Sequence, residues 1–563
     1  MRNTFVTLCI ALLAAACATT TSQPDLVVVT VMGTNDAHGE LIPRPGRGGM
    51  TTFSGYVVAV RDARSADGAL LLVDAGDMWQ GTLESNLNEG YAVVEAYNAM
   101  GYAASTIGNH EFDFGPLGPK SIPETNEDNP QGALRVRAGE ASFPLLASNL
   151  IDVSTGKMVA WDNVQASTMV ERAGVQIGII GVLTESTPSS TIAANTRGIR
   201  IAPLADAIQK QARLLREAGA VLVIVVAHAG SVCHEFDDPF DTSSCDMSGE
   251  IMQVASALPA GLVDHIVGGH QHRGIAHDIN GIAITASYSN TRAFSRVDFT
   301  VDRRRGEIVE RRVYPPQEIC GEETEESCEY EGRPVTPMPE VVAIAERAQG
   351  VAARRKAEKL GVYLETPMTL STRPESILGN LMTDAVLEAS DADISIHNVY
   401  GGIRAELPKG ELTYGSVFRM FPFDNRIAIV EMTGHDMRRI IEKQAHSENR
   451  PAGFSGMRVF VSCIADQMSI RMLRPDGSEI ADADTLRIMS NDFLLLGGDE
   501  IFTPVMPAGG FATPNGTPLV RDTLVNWFRG HGGRMHADDF FDPDALRWNR
   551  PDPMPPECRL SVD

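Results

Sequence analysis

No Cys-X-X-Cys pair occurs among the eight cysteines of this chain, which excludes a zinc ribbon and a thioredoxin-like redox site. Positive charge is also short. Lys and Arg number 48 against 73 Asp and Glu, leaving a formal charge of −25. A chain this acidic has little with which to displace counterions from a polyanion, so a nucleic-acid polymer or an anionic membrane surface is excluded as its main partner. A small anion is still accessible where metals and a few arginines reverse the sign locally. Long low-complexity tracts are missing, no repeat relates the two halves, and 43% hydrophobic with 21% charged residues is the composition of a globular protein.

At 563 residues the chain exceeds what one hydrophobic core serves, so two domains are expected. Residues 1–17 read as an export signal. Arg2 supplies the positive end, Phe5 to Leu13 form a short apolar run, and Ala14-Ala15-Ala16-Cys17 closes it. That run is too short to cross a bilayer as a helix. The small residues before Cys17 resemble a bacterial lipoprotein processing site, which implies an exported protein, periplasmic or held at the outer membrane through lipidated Cys17. Export places Cys233, Cys245, Cys320, Cys328, Cys463 and Cys558 in an oxidising compartment, where an even number points to disulfides. The connectivity stays open; the sequence-local arrangement is Cys233–Cys245, Cys320–Cys328 and Cys463–Cys558.

From Leu26 to about Thr300, apolar strand-like runs alternate with amphipathic segments such as Gly90–Met100 and Pro203–Ala218, a pattern of layered α/β architecture. Residues 116–143 read as an irregular excursion, and the charged stretch 303–336 as a boundary. Pro339–Leu360 has a helical pattern with basic residues toward its end, which suits the helix dipole. A second α/β pattern follows. The expected division is residues 25–335, a linking helix at 336–360, and residues 361–563.

Five clusters carry the chemistry, each just after an apolar run: Asp36-Ala37-His38, Gly76-Asp77, Gly108-Asn109-His110-Glu111, His228, and Gly269-His270-Gln271-His272. Buried parallel strands that end in Gly and a ligand-type residue deliver that residue at their carboxyl ends, where open α/β sheets keep their sites. Any one cluster alone reads as a turn, a cap or a hydrogen-bonded core histidine. Five in one segment supply carboxylates, imidazoles and an amide for two adjacent divalent metals, the machinery of phosphate-ester hydrolysis.

The segments TNDAHGEL, DAGDMWQGT, GNHEFDFG, VVAHAG and GGHQH resemble the motifs of the calcineurin-like metallophosphatases, and more closely those of the 5′-nucleotidase and UDP-sugar hydrolase family. The resemblance extends over nearly the whole mature chain. It implies an N-terminal four-layer αββα sandwich joined by a helix to a second α/β domain that binds substrate. It also implies one metal on Asp36, His38, Asp77 and His272 and a second on Asp77, Asn109, His228 and His270, with Asp77 shared. Oxygen and imidazole donors without thiolate suit Mn²⁺, Zn²⁺, Co²⁺ or Mg²⁺. Asp74 is expected to hydrogen-bond loop backbone, and His234, His265 and His277 match no ligand position. By resemblance His110 and Asp113 form the catalytic pair, for in-line attack of metal-activated water on phosphorus.

In the second half, Gly402 and Arg404 of GGIR, together with Arg373, resemble phosphate-facing positions, where a glycine-lined backbone and guanidinium forks meet an anion. Phe423 and Phe493 match two aromatics that sandwich a nucleobase, and Asp499 an acid that contacts ribose. The family's Asn before GGIR is replaced by Val399, one residue after Asn398. The implied substrates are nucleoside 5′-monophosphates, with UDP-sugars or other nucleotides as a broader set, and a rotation of the second domain is implied with them. A related thiosulfohydrolase family shares the two-domain plan but typically lacks the His of GNHE, present here as His110. A non-catalytic binding protein would be expected to have lost ligands, and every ligand position is filled.

Overall fold

Strand Leu26–Thr34 (LVVVTVMGT) is β-branched and buried from Val29 onward, the composition of a strand covered on both faces. In the computed structural model, which describes residues 25–324, 328–370, 375–446, 452–507, 511, 517–551 and 553–560, it lies inside an eight-stranded sheet. The export segment with Cys17, and Arg373, lie outside the described residues. The strand pairs parallel with Gly68–Asp74 and antiparallel with Ala293–Asp302. Beyond Gly68–Asp74 come Ala104–Thr106, Leu145–Leu146 and Val164–Gln165, all parallel. A six-stranded sheet runs in the order Gly274–Ile279, Ile282–Ser287, His265–Gly268, Leu222–His228, Val175–Leu183, Ser167–Arg172.

The two sheets bury one common core, with Val29, Val31 and Val73 from the first against Ile177, Ile224 and Val267 from the second. Helices Gly49–Ala63 and Tyr91–Met100 cover the outer face of the first sheet. Helices Leu204–Glu217 and Glu250–Ala257 cover that of the second. The result is the four-layer αββα sandwich, and its parallel strands point their carboxyl ends to one rim.

Two sequence expectations are corrected in this domain. The excursion 116–143 contains helix Gly132–Glu140, whose Ala133, Leu134 and Ala138 reach the core. The stretch 303–336 is not simply a boundary, because Glu307–Val313 forms the outer strand of the eight-stranded sheet. Glu307, Glu310 and Arg312 face water, as charges on an edge strand do, while Arg311 pairs with Asp278, so the strand imitates a loop in sequence.

Helix Pro339–Lys356 belongs to both domains. Val341, Ile344, Ala345 and Ala348 enter the first domain's core, and Ala352 enters the second's. It carries Arg354, Arg355 and Lys356 in its last turn. The expected helix to Leu360 overruns it, since Lys359–Leu364 is a strand alternating exposed and buried. There Leu360, Val362 and Leu364 follow a period of two, and that period wins over the helical one.

The second domain holds a three-stranded sheet, Gly410–Thr413, Lys359–Leu364, Gly533–Met535, and a four-stranded one ordered Ile427–Thr433, Thr485–Asn491, Ile394–His397, Gly453–Ser455. A further four-stranded sheet includes the hairpin Arg458–Ile464 and Gln467–Leu473. Helix Ile377–Glu388 starts at Ser376, whose hydroxyl accepts from Gly379 N. Helix Gly434–Ala445 starts at a capping box of Thr433 and Asp436.

All three sequence-local disulfides are formed: Cys233–Cys245, Cys320–Cys328 and Cys463–Cys558. Their loops differ greatly, with sequence separations of 8 for Cys320–Cys328 and 95 for Cys463–Cys558. Loop-closure entropy then ranks them, at roughly 2.5 kcal/mol for the former and about 4–5 kcal/mol for the latter. Replacing Cys463 and Cys558 by Ser is expected to lower the urea midpoint of the second domain, with the larger loss for this pair. Equal midpoints for the two double variants would contradict the ranking.

Candidate active site

The ligand-type residues sit where the parallel strands end. Asp36 and His38 follow Leu26–Thr34, Asp77 follows Gly68–Asp74, and Asn109 follows Ala104–Thr106. His228 closes Leu222–His228, and His270 and His272 follow His265–Gly268. Asp36, His38, Asp77, His270 and His272 all have positive φ, between 48° and 72°. Such backbone costs roughly 1–2 kcal/mol per residue. Asp, Asn and His tolerate it better than most side chains. Strain of this kind persists where the surroundings over-determine it, and functional sites are where it collects.

The structure brings all seven together. Ligand atoms of Asp36, His38, Asp77 and His272 lie within 4.8 Å of one another. On the other side of Asp77, His228 Nε2 is 3.2 Å from Asp77 Oδ2 and 2.9 Å from Asn109 Oδ1. His270 Nδ1 is 3.0 Å from the same Asn109 Oδ1. Asp77 therefore touches both groups.

Hydrogen bonds from behind decide what these groups present inward. His38 Nδ1 is 2.8 Å from the Gln80 carbonyl, and His228 Nδ1 is 2.8 Å from that of Ala75. A carbonyl only accepts, so both rings carry the proton on Nδ1 and turn Nε2 toward the centre. Asn109 Nδ2 donates to Ser190 O at 2.8 Å, which turns its Oδ1 inward as well. His38 Nε2 then faces His272 Nε2 at 3.0 Å. His228 Nε2 and Asn109 Oδ1, both turned inward beside the Asp77 carboxylate, favour positive charge between them. Burial opposes charge on His228, yet Asp77 outweighs it and raises its pKa to about 10, so a cation, whether a proton or a metal, is favoured at its Nε2. The donor set thus fits oxygen- and nitrogen-preferring divalent cations.

Two glycines make the approach possible. A Cβ on Gly108 would lie 2.2 Å from Asp77 Oδ1, and one on Gly76 (φ 86°) would lie 2.8 Å from Gly108 N. Asp74 is fully buried behind this turn and accepts from Gly76 N at 2.9 Å, Thr34 Oγ1 at 2.6 Å, Ser105 Oγ at 2.8 Å and Tyr97 OH at 3.0 Å. Burial pushes its pKa up to about 6 against those hydrogen bonds. His265 and His277 pair with Thr285 Oγ1 and Glu235 O instead of joining the centre. His234 remains exposed on its loop.

His110 Nδ1 is 2.7 Å from Asp113 Oδ2, and Thr191 Oγ1 donates to Asp113 Oδ1 at 2.7 Å. Burial disfavours the imidazolium, but Asp113 and Asp77 outweigh it and raise the His110 pKa. From the second domain, Arg404 Nη2 comes within 3.0 Å of His110 Nε2. A guanidinium only donates, so this contact favours the neutral ring while the carboxylates favour the charged one. An anion between the two side chains would accept from both and resolve the conflict.

Gly402, Arg404, Phe423, Phe493 and Asp499 line the same cleft, of about 860 Å³, together with Asp77, Asn109 and His110. The Arg404 guanidinium lies 5.1 Å from the Phe423 ring centre. Phe423 stacks on His110 at 5.7 Å and meets Phe421 edge-on at 5.5 Å. Gly402 packs on Asn398, where a Cβ would fall 2.4 Å from the Asn398 carbonyl and side-chain oxygens. Phe493 is half-buried with its ring over Gly498, where a Cβ would fall 2.5 Å from ring atoms. Asn398 Nδ2 donates to Asp499 Oδ2 at 2.5 Å.

Sequence reasoning gave no role to three residues here. Asn35 donates to Asp36 Oδ2 at 2.7 Å and to Tyr288 O at 2.7 Å, joining the first ligand loop to the sheet beside it. Glu111 takes backbone N–H groups of both neighbouring ligand loops. Thr191 orients Asp113. Asn35 adjoins one ligand cluster and Glu111 stands inside another, so both had a signal; Thr191, far away in sequence, had none.

The chain is 26% identical to the cell wall protein Lmo0130 of Listeria monocytogenes over 85% of this chain, and spans 65% of that protein's length. It is 26% identical to a 5′-nucleotidase of Vibrio cholerae over 80% of this chain and 82% of that one. The fold matches the crystal structure of a 5′-nucleotidase precursor from Thermus thermophilus with a TM-score of 0.70 at 21% identity, covering 90% of this chain and 97% of that chain. Residues 356–506 match the family model of the 5′-nucleotidase C-terminal domain, so this stretch of the chain carries that domain.

Proposed function

We propose that this chain is an exported two-metal phosphohydrolase that releases phosphate from nucleoside 5′-monophosphates, with UDP-sugars or other nucleotides as further substrates. The observation that carries this reading is the meeting of Arg404 with His110 at 3.0 Å, which sets an anion-binding fork from one domain against the ligand cluster of the other. Asp36, His38, Asp77 and His272 would hold one divalent cation, and Asp77, Asn109, His228 and His270 the other. Bound there, the pair would supply Lewis-acid charge to the phosphoryl oxygens and make water acidic enough to serve as nucleophile near neutral pH.

The remaining work falls to the protein. Arg404 donates to the phosphate and holds it at the rim. His110, aligned by Asp113, presents Nε2 to the leaving oxygen and gives it a proton, while Asp113 stabilises the imidazolium. Thr191 keeps Asp113 in place. Phe423 and Phe493 stack the base, and Asp499, oriented by Asn398, accepts from ribose hydroxyls. Lipid attachment at Cys17 would keep the enzyme at a membrane surface facing its substrates.

Phosphate release from AMP, UDP-glucose and p-nitrophenyl phosphate, measured with Mn²⁺, tests the reading. Phe493→Ala is expected to raise KM for AMP about 10-fold, as loss of one base-stacking face does. KM for the aryl phosphate should stay unchanged. An equal rise for both would place Phe493 in the core and remove the nucleotide assignment.

A further inference from the structure

Glu111 has a fully buried carboxylate that no ligand role explains. Its Oε2 accepts from Asp77 N at 2.8 Å and Gly108 N at 2.6 Å, and its Oε1 accepts from Met78 N at 2.8 Å. Those N–H groups belong to two different loops. One carries Asp77, common to both ligand groups; the other carries Asn109 and His110. The loops also touch directly, Gly108 against the Asp77 side chain, and His110 N donates to Asp77 Oδ1 at 2.9 Å. Asp77 itself stands at φ 56°, a conformation that needs outside support.

We infer that Glu111 is a positioning residue that fixes Asp77 relative to Asn109, and thereby sets how tightly the second of the two cations is held. The inference rests on the two-metal reading above. Three converging N–H donors need an acceptor with two equivalent oxygens, and a carboxylate supplies it. Glutamine offers only one oxygen. Its amide NH₂ would face at least one backbone N–H, donor against donor, and push the two loops apart.

The test is Glu111→Gln, loaded stepwise with Mn²⁺ and compared with the wild type by EPR, calorimetry and AMP kinetics. The wild type is expected to bind two Mn²⁺ and show an exchange-coupled pair. In E111Q the weaker of the two dissociation constants should rise about 10–100-fold, the usual effect of losing a partner that orients a ligand. Coupled signal should give way to isolated Mn²⁺ at limiting metal and return with excess metal. KM for AMP should stay unchanged at saturation, since the second domain grips the nucleotide. Wild-type metal affinity in E111Q would overturn the inference. So would a loss that excess Mn²⁺ does not restore and that lowers nucleotide affinity in parallel, because that is a defect of the fold as a whole. If E111Q fails to fold, Glu111→Asp, which keeps the charge but shortens the reach, takes the same series; failure of both to fold also overturns it. A wild type that binds fewer than two Mn²⁺ overturns the two-metal reading itself, a result distinguishable from any of these.

Discussion

Asp77→Asn is expected to lower kcat/KM for AMP by roughly 10³-fold or more, about 4 kcal/mol of barrier. Asparagine keeps the shape of the side chain and tolerates the positive φ at this position, so the fold should survive. What it removes is the charge shared between the two ligand groups, 3.2 Å from His228 Nε2 and 4.0 Å from His38 Nε2. Without it, two cations would face one another with only Asp36 supplying negative charge among the ligands. Metal content by elemental analysis should fall from two toward none, in step with activity. Full metal occupancy with lost activity would assign Asp77 a role other than ligation.

His110→Ala should have the second-largest effect and a different signature. Its ring is held by Asp113 and reaches toward Arg404 without belonging to either ligand group. A positioned general acid contributes about 10²–10⁴-fold, so kcat for AMP should fall by that factor while metal content stays at two per chain. A p-nitrophenolate leaving group needs little protonation, so aryl phosphate hydrolysis should fall much less. Equal losses for the two substrates would mean that His110 stabilises the phosphoryl group instead of protonating the leaving oxygen. Loss of metal would mean that it supports the ligands.

The parts of this protein most legible in the sequence are those where hydrophobicity and chemistry coincide. LVIVVAH names both a strand buried on both faces and the histidine at its end, and the structure has Leu222–His228 as that strand. The helix at Tyr91–Met100 and the layered α/β plan were legible for the same reason, since local pattern and global burial agree, whereas the sequence left the disulfide connectivity open. Legibility fails where an element's environment differs from its composition. Glu307–Val313 looks like a charged linker because an edge strand shows half its side chains to water. Leu360 looks helical because it follows a helix, but it is packed as the second residue of a strand. Within the site, the sequence identifies ligand types but not how they are held. Positive φ at five ligands and the grip of Glu111 on two loops depend on contacts between segments far apart in the chain. The substrate side is the least legible. A phenylalanine such as Phe493 has the same composition in a core or in a cleft, and only its place over Gly498 beside Asp499 separates the two.

Phosphate release from AMP, followed on one preparation before chelation, after EDTA and after returning Mn²⁺, tests the central claim most directly. Release is expected with metal, loss on chelation and recovery when Mn²⁺ is restored. Phosphate release that EDTA leaves untouched, or none from any nucleotide with metal present, would contradict the two-metal account.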